Sequence, residues 1–351
     1  MAHLQCSRHR HLYRGHRRVF PVQRIEAAGG THKGKPDMKN TGRIVVAIGG
    51  NSLINPGSGR GNRETHEVAR AVCEELASIA DVFGSLVVTH GNGPQVGFEL
   101  IRNAQADHII PRDGMDANVA ATQGIIGYLL QQVLGDVLEE RGKEIPISSL
   151  ITQVEVKADD PGFQNPTKPV GPFYSEEEAR DKMKAKGWAM REDAGRGWRR
   201  VVPSPIPKKI VELVSINALI EAGQIVICAG GGGVPVVREG RKIRGVAAVI
   251  DKDHASALLA SKLKASTFVI STGVPEVYIN YGKPDQKALR SVTASEIKGY
   301  MDAGHFAAGS MKPKIRAALG FLEHGGSRVV VSSPGNLINA LKGKAGTTIT
   351  P

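Results

Sequence analysis

Three lysines stand apart from the other positive charges of this chain because of what flanks them. Lys252 falls in Val249-Ile250-Asp251-Lys252-Asp253, between an apolar run and a helical pattern that starts near His254. Lys314 follows Pro313, a residue suited to the first turn of a helix, which places its ammonium group beside the end that attracts anions. Lys168 is framed by Pro166 and Pro169, which stiffen the backbone that presents it. Isolated cations at element ends are what phosphoryl transfer requires, since that chemistry proceeds by positioning and by positive charge near the migrating group. Asp251 and Asp253 either orient Lys252 or cap the helix that follows.

Glycine supplies the second half of such a site. The chain holds 42 glycines, and they cluster after apolar runs as Gly49-Gly50-Asn51, Gly91-Asn92-Gly93 and Gly230-Gly231-Gly232-Gly233. In open α/β sheets, ligands sit beyond the carboxyl ends of the strands, and glycine there lets a phosphate or carboxylate approach backbone N–H groups. A dinucleotide cofactor is not indicated: in HGNGPQVG the third glycine, Gly97, comes one place late, and Pro94 interrupts. GGTHKGK at 29–35 mimics a phosphate-binding P-loop, but Pro36 stands where Ser or Thr is required. His90, at the end of an apolar run, is either a substrate contact or a satisfied structural histidine. Trp188 and Trp198 are expected to pack the small core of an insertion.

The elements that must position these groups alternate regularly. An extended run from Arg43 to Ile48 precedes a helical face marked by Val68, Val72, Leu76 and Ile79. A second run, Leu86 to Thr89, precedes a long helical stretch over 115–141. Further strands are expected at 225–229, 246–250, 267–271 and 328–332, with a helix at 208–222. Such alternation predicts an α/β fold with a mainly parallel sheet and helices on both faces. Residues 156–207 break the rhythm with prolines, both tryptophans and a short charged helix opened by Ser175 with Glu178 as its capping-box partner. Two lobes are expected, 42–224 and 225–351, with 156–207 projecting from the first.

Composition narrows the partners. Of 351 residues, 46 are Lys or Arg and 34 Asp or Glu, a net charge of +12. Nine of those bases and only two of the acids fall in 1–41, so the rest carries +5 with the signs interspersed and needs no nucleic acid partner. Three cysteines are too few for a disulfide framework or a zinc site, and no apolar run is long enough to span a membrane. A reducing, cytoplasmic setting is expected. The basic segment 1–41 stays open between an organelle presequence, translated sequence ahead of a start at Met38, and a solvated arm. Cys6 with His9, His11 and His16 has no framework to fix a metal.

Taken together, the motifs resemble the carbamate kinases of the amino acid kinase family over essentially all of 43–351. VAIGGNSL (46–53) and HGNGPQVG (90–97) are similar to loops of the wider family. NPTKPVGPF (165–173), EDAGRGWRRVVPSP (192–205), VIDKDHAS (249–256), NYGKPD (280–285) and AGHFAAGSMKPKIRAA (303–318) are the specific parts. The resemblance implies a three-layer αβα sandwich and a homodimer, with carbamate or carbamoyl phosphate in the first lobe and ATP or ADP with Mg²⁺ in the second. It implies that Lys252 and Lys314 contact the transferred phosphoryl group and that Lys168 reaches in from a lid formed by 156–207. It also implies that Gly49, Gly50, Asn51, Gly91, Asn92 and Gly93 surround carbamate and phosphate. Gly231, Gly232, Asp251, Tyr281, Lys283 and Met311 would then serve the nucleotide, and flux toward ATP in arginine catabolism is the implied direction. Side-chain ligands for Mg²⁺ are not identified. Ser52, His254 and Ala308 stand where the family often has Ala, Phe and Pro. The alternatives are an amino-acid carboxylate kinase on the same scaffold and a binding protein that has lost catalysis. Such kinases lack the NPTKP insertion, and retention of all three lysines opposes a lost activity.

Overall fold

Strands β1 (Arg43–Ile48) and β2 (Ser85–His90) are apolar almost throughout and buried on both faces, the mark of the interior of a parallel sheet. The computed structural model describes residues 42–53, 62–193, 195–307 and 309–351, with backbone only at 51–52 and 62–65. The expectations for 1–41, for the side chains of Asn51 and Ser52, and for Ala308 lie outside the described residues.

Between β1 and β2 runs α1 (Asn62–Ala80), and α2 (Gly93–Ala106) and α3 (Met115–Glu140) follow. Next come β3 (Ile147–Ser149), β4 (Gln153–Val156), β5 (Lys168–Tyr174), α4 (Glu176–Lys186), β6 (Met190–Glu192), β7 (Trp198–Val202) and β8 (Pro207–Ile210). The chain continues through α5 (Leu213–Glu221), β9 (Ile225–Ile227), β10 (Val234–Glu239), β11 (Lys242–Gly245), α6 (Lys252–Lys262) and β12 (Thr267–Ser271). It closes with β13 (Val277–Ile279), β14 (Lys287–Leu289), β15 (Ser291–Thr293), α7 (Ala294–Asp302), α8 (Met311–Glu323), β16 (Arg328–Ser332), α9 (Leu337–Leu341) and β17 (Thr347–Thr350).

Among the described residues the main sheet has eight strands in the order β15-β17-β16-β12-β1-β2-β9-β3, parallel except where β16 meets β17. Alternation along β1 divides the core. Val45 and Ala47 face a cluster with Phe268, Leu259 and Phe321, whereas Ile44, Val46 and Ile48 face one with Leu76, Leu130 and Leu134. Each layer of helices thus buries one face of the sheet, which makes the three-layer αβα sandwich. Residues 40–351 gather into one compact unit.

Two local expectations are corrected. Residues 246–250 do not form a strand: 248–250 are buried, but Ala247 is exposed at a bend and the N–H groups find irregular partners, with Val246 donating to Pro235 O at 3.0 Å and Val249 to Pro203 O at 3.0 Å. An apolar run reports burial, and burial alone does not require a ladder. The helix expected at 208–222 begins only at Leu213. Lys208 and Lys209 are exposed between buried Pro207 and Ile210 in β8, which pairs antiparallel with β4.

That β4–β8 pair forms the root of the projection. Asp160 ties its two connections together, accepting from Gly162 N at 2.8 Å and Ile206 N at 3.0 Å. The projection is a three-stranded sheet, β5-β7-β6, backed by α4. Ser175 and Glu178 form the expected capping box, and Gly187 closes the helix at φ +64°. Trp188 lies under cations, with Arg200 4.6 Å and Lys186 5.2 Å from its ring centre.

Candidate functional site

Strands β1, β2 and β9 lie side by side, so the loops that leave their carboxyl ends must be neighbours. Ile48 pairs with His90, Gly91 N donates to Ile48 O at 2.9 Å, and Cys228 N donates to Val88 O at 2.9 Å. The glycine loops at 49–50, 91–93 and 230–233 therefore meet on one sheet edge. Gly91 has no room for a side chain: a Cβ there would lie 2.8 Å from Gly50 N and 3.3 Å from Cδ of Lys252. At Gly231, where φ is +64°, a Cβ would lie 2.2 Å from Nδ2 of Asn92.

Helix α6 brings in the charges. Its N-cap is Asp251, whose Oδ1 accepts from Asp253 N at 2.9 Å and His254 N at 3.3 Å. The other oxygen, Oδ2, holds Lys168 Nζ at 2.6 Å. Asp253, on the first turn, binds Lys252 through Oδ1 and Lys314 through Oδ2, both at 2.7 Å. All three lysines therefore converge, although they come from the projection, from α6 and from the first turn of α8. Capping falls to Asp251, while Asp253 positions the two lysines.

Burial favours the neutral form of each of these groups, and the opposite charges act against it. For Asp251, burial would raise the pKa, but Lys168, His254 and Lys314 together hold it well below the usual carboxylate range. Asp253 is likewise buried and likewise held low, by Lys252 and then Lys314. Lys252 and Lys314 share Asp253 yet shift in opposite directions. Burial depresses the Lys252 ammonium beyond what Asp253 restores, and the like charge of Lys314 depresses it further. For Lys314 burial is the largest single effect, but the attractions of Asp253 and Asp251 together outweigh it, and its pKa rises.

His90 beneath the loops is structural in its contacts. Its Nδ1 donates to Gly91 O at 3.1 Å, which leaves Nε2 unprotonated, and a Cβ on Gly230 would lie 2.3 Å from that nitrogen. Burial, which outweighs the Gly91 bond, lowers its pKa to about 4, with the Lys252 charge acting in the same direction. Asn92 is fixed by donating to Thr122 Oγ1 at 2.9 Å. Thr122, Gln123 and Thr152 form a buried polar support that the sequence did not announce: Gln123 Oε1 accepts from Thr152 N at 2.9 Å, and Thr152 Oγ1 accepts from Ala229 N at 2.9 Å. Thr89 and Ser256, their hydroxyl oxygens 2.6 Å apart, join β2 to α6 in the same way. Their one signal is polarity next to glycine loops.

The projection closes on this edge through α2. A Cβ at Gly97 would lie 1.9 Å from Gly171 Cα, so the helix and β5 touch backbone to backbone. Pro169 O comes within 3.9 Å of the Cβ position of Gly93. Tyr281 and Lys283 make other contacts. Tyr281 is exposed and packs its ring 5.8 Å from that of Tyr278, and Lys283 N donates to Asn280 O at 3.0 Å. Met311 opens α8, one turn before Lys314. Among the described residues no hydrogen bond or ion pair joins Tyr281 or Lys283 to the lysine cluster, and no group of three or more His, Cys, Asp or Glu could hold a metal.

A parallel α/β sheet that presents glycine loops and three converging lysines at one edge is a scaffold for transferring an anionic group. The model of the amino acid kinase family matches residues 42–333, and the chain belongs to that family. It is 49% identical over 310 residues to a carbamate kinase of Thermococcus kodakarensis, covering 88% of this chain and 98% of that one. A carbamate kinase of Pyrococcus furiosus is 47% identical over 311 residues, with 88% and 99% covered. The solved carbamate kinase from Giardia lamblia bound to AMP-PNP superposes with a TM-score of 0.80 at 41% identity, covering 88% of this chain and 98% of that one.

Proposed function

We propose that this chain catalyses the reversible reaction ATP + carbamate ⇌ ADP + carbamoyl phosphate. The observation that carries the proposal is the meeting of Lys168, Lys252 and Lys314 on the two carboxylates of Asp251 and Asp253, beside Gly50 and Gly91. The long relatives named carbamate kinase support the same substrate.

A carboxylate oxygen of carbamate attacks the γ-phosphorus of ATP as the bond to ADP breaks. Negative charge accumulates on the migrating group, and Lys252 and Lys314 neutralise it. Their aspartate partners hold the ammonium groups in place before substrate arrives, so little reorganisation accompanies the reaction. Carbamate is small, planar and anionic, which suits the backbone donors of Gly49, Gly50, Asn51, Gly91, Asn92 and Gly93. Lys168, carried by a lid over 156–207, completes the charge and excludes the water that competes with carbamate.

The nucleotide is assigned to 225–351, with its phosphates toward Gly231, Gly232 and the Asp251 turn and its base toward Tyr281, Lys283 and Met311; carbamate is assigned to 42–224. Asp251 and Asp253 are already engaged with lysines, and the described residues offer no dedicated Mg²⁺ cage. Mg²⁺ would be held chiefly by the nucleotide phosphates, neutralising part of their charge. A cytoplasmic setting and flux toward ATP in arginine catabolism complete the proposal. Among the described residues no helix is long and apolar enough to cross a membrane.

The homodimer contact is placed on α3. Between Asp116 and Asp136 this helix carries no charge, yet Ile125 and Tyr128 are 53% and 65% exposed. Strand β3 forms the sheet edge beside it, and Ile151, just beyond, is also exposed. Tyr128→Asp is expected to sediment as a monomer, and a variant that stayed dimeric would contradict this placement. The activity itself is tested by ATP formation from ADP and carbamoyl phosphate.

A further inference from the structure

Gln95 lies in the first turn of α2, within the HGNGPQVG loop, and is not among the groups that hold phosphate. Its Nε2 donates to Gly50 O at 3.4 Å. A carbonyl only accepts, and turning the carboxamide over would set two acceptors against each other, which assigns the amide nitrogen to the Gly50 side. Oε1 is then a buried oxygen with no hydrogen-bond partner among the described residues. A buried acceptor left without a donor is costly, and native structures rarely keep one without a use.

Its surroundings show what is missing. Gly50, which Gln95 holds, abuts Gly91, and the stem of Lys252 passes over Gly91. The carboxamide therefore borders the cradle assigned to carbamate. The loop N–H groups and the lysines of that cradle supply donors, and the Asp251 and Asp253 carboxylates already accept from Lys168, Lys252 and Lys314. Donors suit the carboxylate end of carbamate. They do nothing for its amino group, whose delocalised nitrogen donates two N–H bonds and accepts none.

We propose that Oε1 of Gln95 accepts an N–H from the amino group of carbamate and carbamoyl phosphate, which makes Gln95 a specificity-determining residue. This rests on the function proposed above. A carboxylate of the same shape with a methyl in place of the amino group leaves Oε1 unpaired and presses carbon against it. Sites built to bond a substrate N–H or O–H reject analogues that lack it far better than apolar pockets reject a missing methylene. For one neutral acceptor the expected preference is roughly 10- to 100-fold.

The test compares carbamoyl phosphate with acetyl phosphate as donors to ADP, reading kcat/KM for ATP formation. Wild type is expected to prefer carbamoyl phosphate by at least about tenfold. Gln95→Met, of similar length but without the acceptor, is expected to lose most of that preference. An unchanged ratio in Gln95→Met overturns the proposal, as does a wild type that uses both donors equally, which needs no folded variant. ATP from neither donor overturns the function itself, and the proposal with it.

Discussion

Lys168 places its ammonium nitrogen 2.6 Å from Oδ2 of Asp251, 83 positions away in the sequence. Because Asp251 also caps α6, the first residue of β5 in the projection is anchored to the element that carries Lys252. The contact that anchors the projection is thus also part of the charge cluster.

Gly97 is where the projection meets α2 backbone to backbone. Gly97→Ala puts a Cβ 1.9 Å from Gly171 Cα, a clash between two backbones that no rotamer relieves. The projection must then stand off, and Lys168 loses Asp251. Misplacement of about 1 Å costs on the order of 10²-fold in rate. Steady-state kinetics should show kcat falling by that order, with ATP hydrolysis rising relative to carbamoyl phosphate formation.

Asp253 bridges Lys252 and Lys314, and Asp253→Asn removes the charge while keeping the shape. Burial already depresses the Lys252 ammonium, and without the carboxylate it is depressed further. The alkaline limb of kcat/KM against pH is expected to move to lower pH, with a loss of roughly 10²-fold at neutral pH. An unmoved limb would show that Asp253 does not hold the Lys252 proton.

His90 links the site to stability. Its folded pKa of about 4 lies below the ordinary 6.5, so between these values the unfolded chain binds a proton that the folded chain refuses. Stability is therefore complete above the unfolded value and falls as pH drops from about 7 toward 4, by about 3 kcal/mol from this group. Urea unfolding across that range should show the loss in wild type. It should be largely absent in His90→Gln, whose side chain does not titrate.

The strands with their glycine loops were legible because buried runs ending in glycine are local signals. So was the Ser175–Glu178 box, which the structure reproduces. The division of labour between Asp251 and Asp253 was not, because either aspartate could cap the helix and only the third dimension shows which lysine each one meets. The support from Thr122, Gln123 and Thr152 was hidden for a similar reason: polar side chains within apolar stretches acquire meaning only from partners about 30 positions away or more. The stretch 246–250 misled because the burial of 248–250 is real while the pairing of a strand is not.

The most direct measurement is ATP formation from ADP and carbamoyl phosphate by the purified chain, with the Lys314→Ala variant prepared in parallel. Robust ATP synthesis by wild type, with kcat reduced roughly 10²- to 10³-fold in the variant, is the predicted result. No ATP from the wild-type chain, or equal turnover in the variant, would contradict the account.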